Sequence, residues 1–402
     1  MAEVTLKKGG GRYLKSGGQW IYDNEIEKVS GSFEPGDIVD VHDFDGYKLG
    51  KGYINPNSTI RIRMLERYHD DPIDEAFWAR RLTSALQVRL SIGLADNPRN
   101  NTYRLVHGEG DLLPGLVIDV YGQTAVMQAH SVGMHISREA IARQLVKVME
   151  GRIAHVYYKS ETTLPGKMRA DEPGMADDGT LSYFIYGGSE DNTAMENGLL
   201  FYVDWLRGQK TGFFVDQRDN RLLLERFAKG KRVLNMFCYT GGFSFYAMRG
   251  GAELVHSVDS SAKAIELTNR NVELNFPNDA RHQAFCEDAF RYLEQAGSQY
   301  NLIILDPPAF AKHRGALHNA LKGYTRLNYK AFQKIQPGGI LFTFSCSQVV
   351  TKDHFRNAVF TAAAQAGRQV RILHQLHQPA DHPINIYHPE GEYLKGLVLY
   401  VE

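Results

Sequence analysis

The chain contains 402 residues, with 46 basic and 46 acidic side chains and a formal net charge of zero. At about 100 to 200 residues per domain, this length predicts two or three domains with substantial cores. The balanced charge excludes an overall field that would attract polyanions, so any nucleic-acid site must be a local basic patch.

The cysteines are few and widely separated. Cys238, Cys286 and Cys346 show no CxxC spacing, which argues against a disulfide framework or a cysteine zinc site and fits a reducing compartment. The first residues lack the apolar core of a signal peptide, and no later apolar run is long enough to cross a bilayer. We therefore expect a cytoplasmic protein without a membrane partner.

The first 70 residues contain short β-like runs separated by glycine and Asn-Pro-Asn turns, a pattern that predicts a small β-barrel. One of its loops places the cations Arg12 and Lys15 near the ring of Trp20. Positive charge beside aromatic rings is what a single-stranded RNA platform requires. The alternative is an ordinary solvated loop whose aromatic side chains turn into the barrel, and the sequence leaves both readings open.

The next stretch predicts a small α+β domain. Asp74 can cap a helix in which apolar residues recur every fourth position from Trp78 to Leu90. A hairpin over 103–128, a helix over 137–149 and a strand over 153–158 follow. The Gly-, Pro- and Met-rich residues 161–179 predict a mobile loop.

From residue 199 onward, strands alternate with helices, which predicts a doubly wound and mainly parallel sheet. Ligands of such sheets bind at the carboxyl ends of the strands. The first strand ends in the Gly241-Gly242 turn, the second in Asp259, and the third is followed by Asp288. A glycine turn allows close backbone approach, one acid can bind both ribose hydroxyls and the other an adenine amine.

This series of strand ends resembles the S-adenosylmethionine site of class I methyltransferases. The GxGxxG and GxxxxGK[ST] patterns are absent, which disfavours hydride and phosphoryl transfer. The alternative reading is that each acid only caps the helix that follows it.

The fourth strand ends in "LDPPAF". Pro307 and Pro308 hold an extended turn without amide donors, so the Asp306 carboxylate and nearby carbonyls can accept hydrogen bonds from a base amine. Phe310 can stack on the same base, as an enzyme that acts on an extruded base requires. A simple proline-containing turn is the alternative.

The fifth strand runs into Cys346, between Ser345 and Ser347. If the fourth and fifth strands are neighbours, about 4.8 Å apart, Cys346 and Asp306 can reach one base. A thiolate that adds to C6 of cytosine makes C5 nucleophilic enough to take a methyl group. The alternative is a buried structural cysteine, as we expect for Cys238 and Cys286. The four histidines between 374 and 388 match no zinc spacing, so we expect no metal.

An ordered series of motifs carries a family resemblance. Residues 105–122 ("LVHGEGDLLPGLVIDVYG"), 208–218 ("GQKTGFFVDQR"), 234–244 ("LNMFCYTGGFS"), "LDPPAF", "TFSCS", "DHP" and "YLKG" resemble the bacterial RlmI-type family. Its members are S-adenosylmethionine-dependent cytosine-C5 methyltransferases of 23S ribosomal RNA. The resemblance implies an α/β fold in which a Rossmann-like class I methyltransferase domain (190–402) follows a small β-barrel, PUA-like RNA-binding domain (1–70) and a small α+β middle domain (74–187).

The resemblance also implies functional roles for individual residues. Cys346 is expected to be the nucleophile. Other RNA cytosine-C5 methyltransferases carry a second cysteine where this sequence has Ala309 and Phe310, so we expect Asp306, or a water, to remove the C5 proton. The expected cofactor residues are Phe214, Asp216, Arg218, Phe237, Tyr239, Thr240, Gly241, Gly242, Asp259, Asp288 and Asp306. Independently of the resemblance, the residues themselves predict substrate contacts at Pro307, Pro308, Phe310, Arg12, Lys15 and Trp20.

Two other functions remain open at this point. The "DPPAF" turn can serve methylation of an exocyclic amine in RNA, with Cys346 structural. The chain can also be a non-catalytic RNA-binding factor of ribosome assembly. The sequence leaves open whether the chain forms a homodimer.

Overall fold

The computed structural model describes residues 1–164 and 182–402, which form two compact units. The first unit comprises residues 1–198, 203–215 and 380–391, and the second comprises residues 199–202, 216–379 and 392–402. Each unit therefore combines separated stretches of the sequence. The predicted loop over 161–179 lies largely outside the described residues.

The first unit begins with a six-stranded mixed sheet in the order β2-β6-β5-β4-β1-β3. Its elements are β1 (Ala2–Leu6), α1 (Arg12–Lys15), β2 (Trp20–Tyr22), β3 (Ile26–Ser30), β4 (Ile38–His42), β5 (Lys48–Ile54) and β6 (Ile60–Arg67). Strands β1 and β4 are parallel and the other pairs are antiparallel. Alternate residues of the strands, such as Val4, Leu6, Val39 and Val41, are buried in one apolar core, as a half-buried sheet requires.

A five-stranded sheet in the order β11-β10-β9-β8-β7 forms the rest of the first unit. Its elements are α2 (Glu75–Ser91), β7 (Thr102–His107), β8 (Leu116–Tyr121), β9 (Thr124–Ala129), α3 (Val132–Ile136), α4 (Arg138–Val148), β10 (His155–Lys159) and β11 (Ser182–Tyr186), followed by β12 (Thr193–Glu196). Asp74 caps α2, because its side chain accepts from the amides of Ala76 and Phe77, as predicted. Trp78 and Leu82 of α2 pack in the core of this sheet.

Residues 380–391 are bound to both parts of the first unit. The carbonyl of Asp381 accepts from Nη2 of Arg89 at 2.7 Å, and its carboxylate accepts from the amide of Arg104 at 2.9 Å. His388 Nδ1 lies 3.0 Å from the hydroxyl of Tyr13, which precedes β2. This late segment of the chain is thus an integral part of a unit that begins at the first residue.

The second unit is built on a seven-stranded sheet in the order β16-β15-β14-β17-β18-β20-β19. Its elements are β13 (Leu199–Tyr202), α5 (Arg218–Glu225), β14 (Arg232–Met236), α6 (Gly242–Arg249), β15 (Leu254–Asp259), α7 (Ala262–Asn275), β16 (His282–Cys286), α8 (Ala289–Gln295), β17 (Leu302–Leu305), α9 (Leu317–Lys334), β18 (Gly339–Ser345), α10 (Lys352–Gln365), β19 (Val370–Leu376) and β20 (Lys395–Val401). Strands β14 to β18 are parallel, and β20 lies antiparallel between β18 and β19.

The strand order fixes where a ligand can bind in the second unit. From β14 the chain first builds outward through β15 and β16 and then continues on the other side with β17 and β18. The crevice beside the carboxyl end of β14 is therefore the topological switch point of the sheet. Within the described ranges, no helix is both long enough and apolar enough to span a membrane.

Candidate active site

Four neighbouring strands bring their carboxyl ends to one edge of the second unit's sheet. In the register of the sheet, Met236 of β14 lies beside Val258 of β15 and Leu305 of β17, and Leu305 lies beside Thr343 of β18. The predicted adjacency of the fourth and fifth strands is thus present. The residues that follow these strands, including Asp306 and Cys346, emerge side by side.

The loop after β14 adopts an unusual backbone. Phe237 and Tyr239 have φ values of 57° and 48°, and Gly241, which caps α6, has φ 85°. A Cβ at Gly241 would lie 2.7 Å from the ring of Phe245 and 2.8 Å from Thr268 Cγ2. Only glycine fits this position, as expected for the turn that lets the backbone approach a ligand.

The same loop is held by side chains from β15 and α7. Asp259 accepts from the amide of Tyr239 at 3.0 Å and from the amide of Ser261 at 2.9 Å. Thr268 donates to the carbonyl of Tyr239 at 2.8 Å, and Asn271 donates to the carbonyl of Thr240 at 3.2 Å. A carboxylate oxygen can accept more than one hydrogen bond, so the partly exposed Asp259 can hold the loop and also bind ribose hydroxyls.

The other predicted cofactor acids have structural partners as well. Asp288 caps α8 by accepting from the amide of Arg291 at 3.0 Å, so the helix-cap reading holds for this residue. Asp216 is buried and accepts from the hydroxyl of Tyr393 at 2.7 Å. Arg218 is buried, and its Nε lies 3.3 Å from Oδ1 of Asp219. Their cofactor roles stay predictions.

Phe214 belongs to the first unit, where Lys210 Nζ lies 4.9 Å from its ring centroid. Its predicted contact with the cofactor stays a prediction. The glycine turn, the fixed Asp259 and the amide end of α6 together give the second unit the backbone donors and the ribose acceptor that S-adenosylmethionine requires. The residues present therefore fit this cofactor.

The proline turn after β17 is only partly covered. Asp306 and Phe310 are half-buried, Pro307 is buried and Pro308 is exposed. The ring of Phe310 lies 4.6 Å from the ring of Tyr324 on α9, centroid to centroid, with the planes tilted by 34°. One face of Phe310 is therefore packed against the protein, which orients the ring.

Cys346 is half-buried, and its flanking serines are buried and tied down. Its sulfur lies 4.0 Å from the carbonyl oxygen of Pro307. Ser345 donates to the hydroxyl of Tyr324 at 2.9 Å, and Ser347 donates to the carbonyl of Ala311 at 2.6 Å. The chain around the thiol is thus fixed against the proline turn, while Cys346 itself stays partly exposed.

Lys395, the first residue of β20, is not among the site residues predicted from the sequence. Lys395 is 5% exposed and donates to the carbonyl of Ser347 at 2.6 Å. Burial lowers its pKa to about 8, against the opposite influence of the Cys346 thiolate. Two sequence signals point to it: a lysine begins the otherwise apolar run "KGLVLYV", and the same lysine belongs to the "YLKG" motif of the family resemblance.

The remaining cysteines differ from each other. Cys238 is buried, as predicted, and burial raises the pKa of its thiol. Cys286 is exposed, so its predicted packing role is wrong: the strand that ends there lies at the edge of the sheet, where one side has no neighbouring strand. Within residues 1–164 and 182–402, no three His, Cys, Asp or Glu side chains cluster as a metal site would need.

The predicted RNA residues of the first unit lie on or near its surface. Arg12 and Lys15 are exposed, and Lys15 pairs with Asp43 at 2.9 Å. Trp20 is half-buried, its indole nitrogen donates to Glu109 at 2.8 Å, and its ring packs edge-on against His388 at 4.3 Å. The structure thus combines elements of both readings of this loop: its cations are exposed, and its tryptophan is partly packed.

Two family models match the chain. One, described as a PUA-like domain, matches residues 4–67, and the other, described as an S-adenosylmethionine-dependent methyltransferase, matches residues 177–390. Together with the doubly wound sheet and its strand-end acids, this match defines a Rossmann-like S-adenosylmethionine-dependent methyltransferase with an N-terminal PUA-like domain.

Relatives across the full length specify the family. The chain is 38% identical over 404 residues to the ribosomal RNA large subunit methyltransferase I of Alteromonas mediterranea, covering 100% of this chain and 99% of the relative. It is 39% identical to the protein of the same name from Tolumonas auensis, covering 98% of each. The chain belongs to the ribosomal RNA large subunit methyltransferase I family.

Solved structures support the fold. A Streptococcus mutans protein described as a SAM-dependent methyltransferase matches with a TM-score of 0.82 and 22% identity, over 100% of both chains. The protein SMU.776, described as a methyltransferase and solved in complex with SAH, matches with a TM-score of 0.83, 22% identity and the same coverage.

Proposed function

We propose that this chain methylates C5 of a cytosine in the 23S RNA of the large ribosomal subunit through a covalent adduct on Cys346. The observation that carries the proposal is the position of the half-buried Cys346, whose sulfur lies 4.0 Å from the carbonyl oxygen of Pro307 in the adjacent strand-end turn. Ribosomal RNA as the substrate follows the names of the relatives.

The chemistry assigns a role to each side chain at this edge. The Cys346 thiolate adds to C6 of the cytosine, which breaks the C5–C6 double bond and turns C5 into an enamine carbon. C5 then forms a bond to the electrophilic methyl group that S-adenosylmethionine would supply when bound, and S-adenosylhomocysteine would be the leaving group. Asp306 then accepts the C5 proton, and the electrons of that C–H bond re-form the double bond as the thiolate leaves C6.

Binding divides over the two units. In the second unit, the cofactor is bound by the loop over 237–241 together with Gly242, Asp259 and Asp288. Asp216 and Arg218, which precede β14 in the chain, contribute to the same site. Pro307, Pro308 and Phe310 position the base. In the first unit, the PUA-like domain contributes Arg12, Lys15 and Trp20 as RNA contacts. We take 1–70, 74–187 and 190–402 as the domain boundaries.

Trapping the adduct tests this function. Large-subunit RNA that contains 5-fluorocytidine lacks the C5 proton, so the enzyme with S-adenosylmethionine should remain attached to the RNA in denaturing gels. Cys346→Ser should give no adduct, whereas Cys286→Ser, which removes an exposed thiol, should form it at the native rate. Native enzyme that methylates unmodified RNA but yields no adduct would exclude the covalent route.

A second candidate is methylation of an exocyclic amine, favoured by the position of the half-buried Asp306 in the proline turn. It requires no thiolate, so Cys346→Ser would retain most of its activity. Mass spectrometry of digested RNA distinguishes a methyl group on nitrogen from one on C5. A non-catalytic assembly factor would instead bind RNA without heat release on titration with S-adenosylmethionine.

A further inference from the structure

Lys395 is a buried cation in the sheet of the second unit. It lies in β20, directly opposite Ser345 of β18 in the antiparallel register. Its side chain is 5% exposed. Burying an ammonium group costs several kcal/mol unless an acceptor or an anion compensates, so its position requires an explanation.

The hydrogen bond of Lys395 directs its ammonium group toward the nucleophile loop. Nζ donates to the carbonyl oxygen of Ser347 at 2.6 Å, one residue beyond Cys346. An ammonium group has three donors, and one carbonyl uses only one of them. Neither the paired Ser345 side chain, which donates to Tyr324, nor the Ser347 carbonyl carries a negative charge.

We propose that Lys395 is a positioning residue that holds Cys346 as a thiolate. Its ammonium group, on β20, pairs with the sulfur that follows the neighbouring strand β18. This inference rests on the proposed function of Cys346 and adds the group that activates it. A free cysteine thiol titrates near about 8.5, so at neutral pH only a few per cent is thiolate, and a neighbouring cation is a standard means of raising that fraction.

Several charged and titratable groups surround this pair. Burial dominates the lowered pKa of Lys395, the Cys346 thiolate and Glu392 act to raise it, and Lys352 acts to lower it. Burial raises the pKa of Tyr324 to about 12, and the charges of Cys346 and Asp306 act in the same direction. The remaining charged or titratable groups in the cavity of about 170 Å³ beside Lys395 are Asp353, Arg356 and His377.

The ion pair exists only while the Cys346 thiol is deprotonated and the Lys395 amine is protonated. Below the thiol pKa the sulfur is protonated, and above the lysine pKa the ammonium loses its charge. A lysine pKa lowered to about 8 lies close to that of a free thiol, so one proton can be shared between nitrogen and sulfur without a large free-energy difference. The thiolate–ammonium state is then available at neutral pH.

The test measures the thiol directly, without RNA. The pH dependence of iodoacetamide alkylation at Cys346, read by peptide mass spectrometry, should give an apparent pKa below about 8.5 in the native protein. Lys395→Met should raise this pKa by about 1 to 3 pH units and slow alkylation at pH 7 by about tenfold or more. Lys395→Arg should restore most of the native profile, because it keeps the positive charge.

Two controls accompany this measurement. Lys229→Met removes an exposed cation just before β14, at the opposite end of the parallel strands from Cys346, and should change the thiol pKa little. The exposed Cys286 should be alkylated at the same rate in every variant. Since the native profile needs no variant, a native Cys346 pKa at or above about 8.5 overturns the inference even if Lys395→Met does not fold.

The outcomes separate this inference from the proposed function. An unchanged thiol pKa in folded Lys395→Met overturns the role of Lys395, whether or not the fluorinated RNA is trapped. If the Cys346 pKa is higher in Lys395→Met than in the native protein, but the native enzyme traps no adduct, the ion pair is supported and the covalent methylation mechanism is rejected.

Discussion

The left-handed turn at Gly241 gives a quantitative test of how rigidly the cofactor loop is held. In Gly241→Ala, the backbone at φ 85° costs about 1 to 2 kcal/mol for a residue with a Cβ. The new methyl group would lie 2.7 Å from the Phe245 ring and 2.8 Å from Thr268, and such overpacking costs about 1 to 3 kcal/mol more. We expect a total destabilisation of about 2 to 5 kcal/mol, with weaker S-adenosylmethionine binding.

Gly367→Ala is the matched control. Gly367 lies in the same unit at φ 67°, and nothing lies within 4 Å of the position that a Cβ would take there. It should therefore cost only the backbone term of about 1 to 2 kcal/mol and leave cofactor affinity unchanged. The difference between the two variants isolates the contact with Phe245 and Thr268.

The assay must report on the second unit. All three tryptophans, Trp20, Trp78 and Trp205, lie in the first unit, so their fluorescence would follow the wrong part of the chain. Hydrogen exchange of β14 and α6, together with calorimetric titration of S-adenosylmethionine, measures the relevant stability and affinity. Equal effects of the two substitutions on both quantities would refute the close packing of this turn.

Two further predictions concern the same edge of the sheet. Asp259 accepts from Tyr239 through one carboxylate oxygen and from Ser261 through the other, and Asp259→Asn keeps only one acceptor oxygen and no negative charge. We expect it to weaken S-adenosylmethionine binding by roughly 10- to 100-fold in calorimetry, whereas Asp279→Asn should not. Equal affinities would remove Asp259 from the site. Burial, and then the charge of His256, lowers the pKa of His282 from 6.5 to about 4. As the pH drops from 6.5 to 4, His282 is protonated in the unfolded chain before it is protonated in the folded protein, so the free energy of unfolding falls. His282→Gln should reduce this loss by up to about 3 kcal/mol, measured by urea titration at the two pH values. The same loss in the native protein and the variant would contradict this.

Local patterns predicted where the strands of the second unit end. The strands are apolar runs of four to seven residues, and polar or turn residues mark their ends: the glycine turn, Asp259, the Asp306 turn and Cys346. Parallel strands place such ends at one edge of the sheet. The cap at Asp74 is equally local, since donor and acceptor lie within three residues. The wrong expectation for Cys286 arose because the sequence does not show that its strand is an edge strand.

Lys395 could not be placed from the sequence for a related reason. β20 follows β19 in the chain but inserts between β18 and β19, so the pairing of Lys395 with Ser345 depends on the strand order. The packing of Phe310 on Tyr324 likewise joins a turn to a helix whose relative rotation no periodicity gives. Such contacts depend on the assembled sheet.

The segment 380–391 has a consequence for how this protein is made. The carbonyl of Asp381 that accepts from the buried Arg89 lies 292 residues further along the chain. At roughly 5 to 20 residues per second, a ribosome needs about 15 to 60 s to synthesise the intervening polypeptide. During that time the nascent N-terminal portion has a buried guanidinium group without one of its acceptors, so its folding is completed only when synthesis is almost finished.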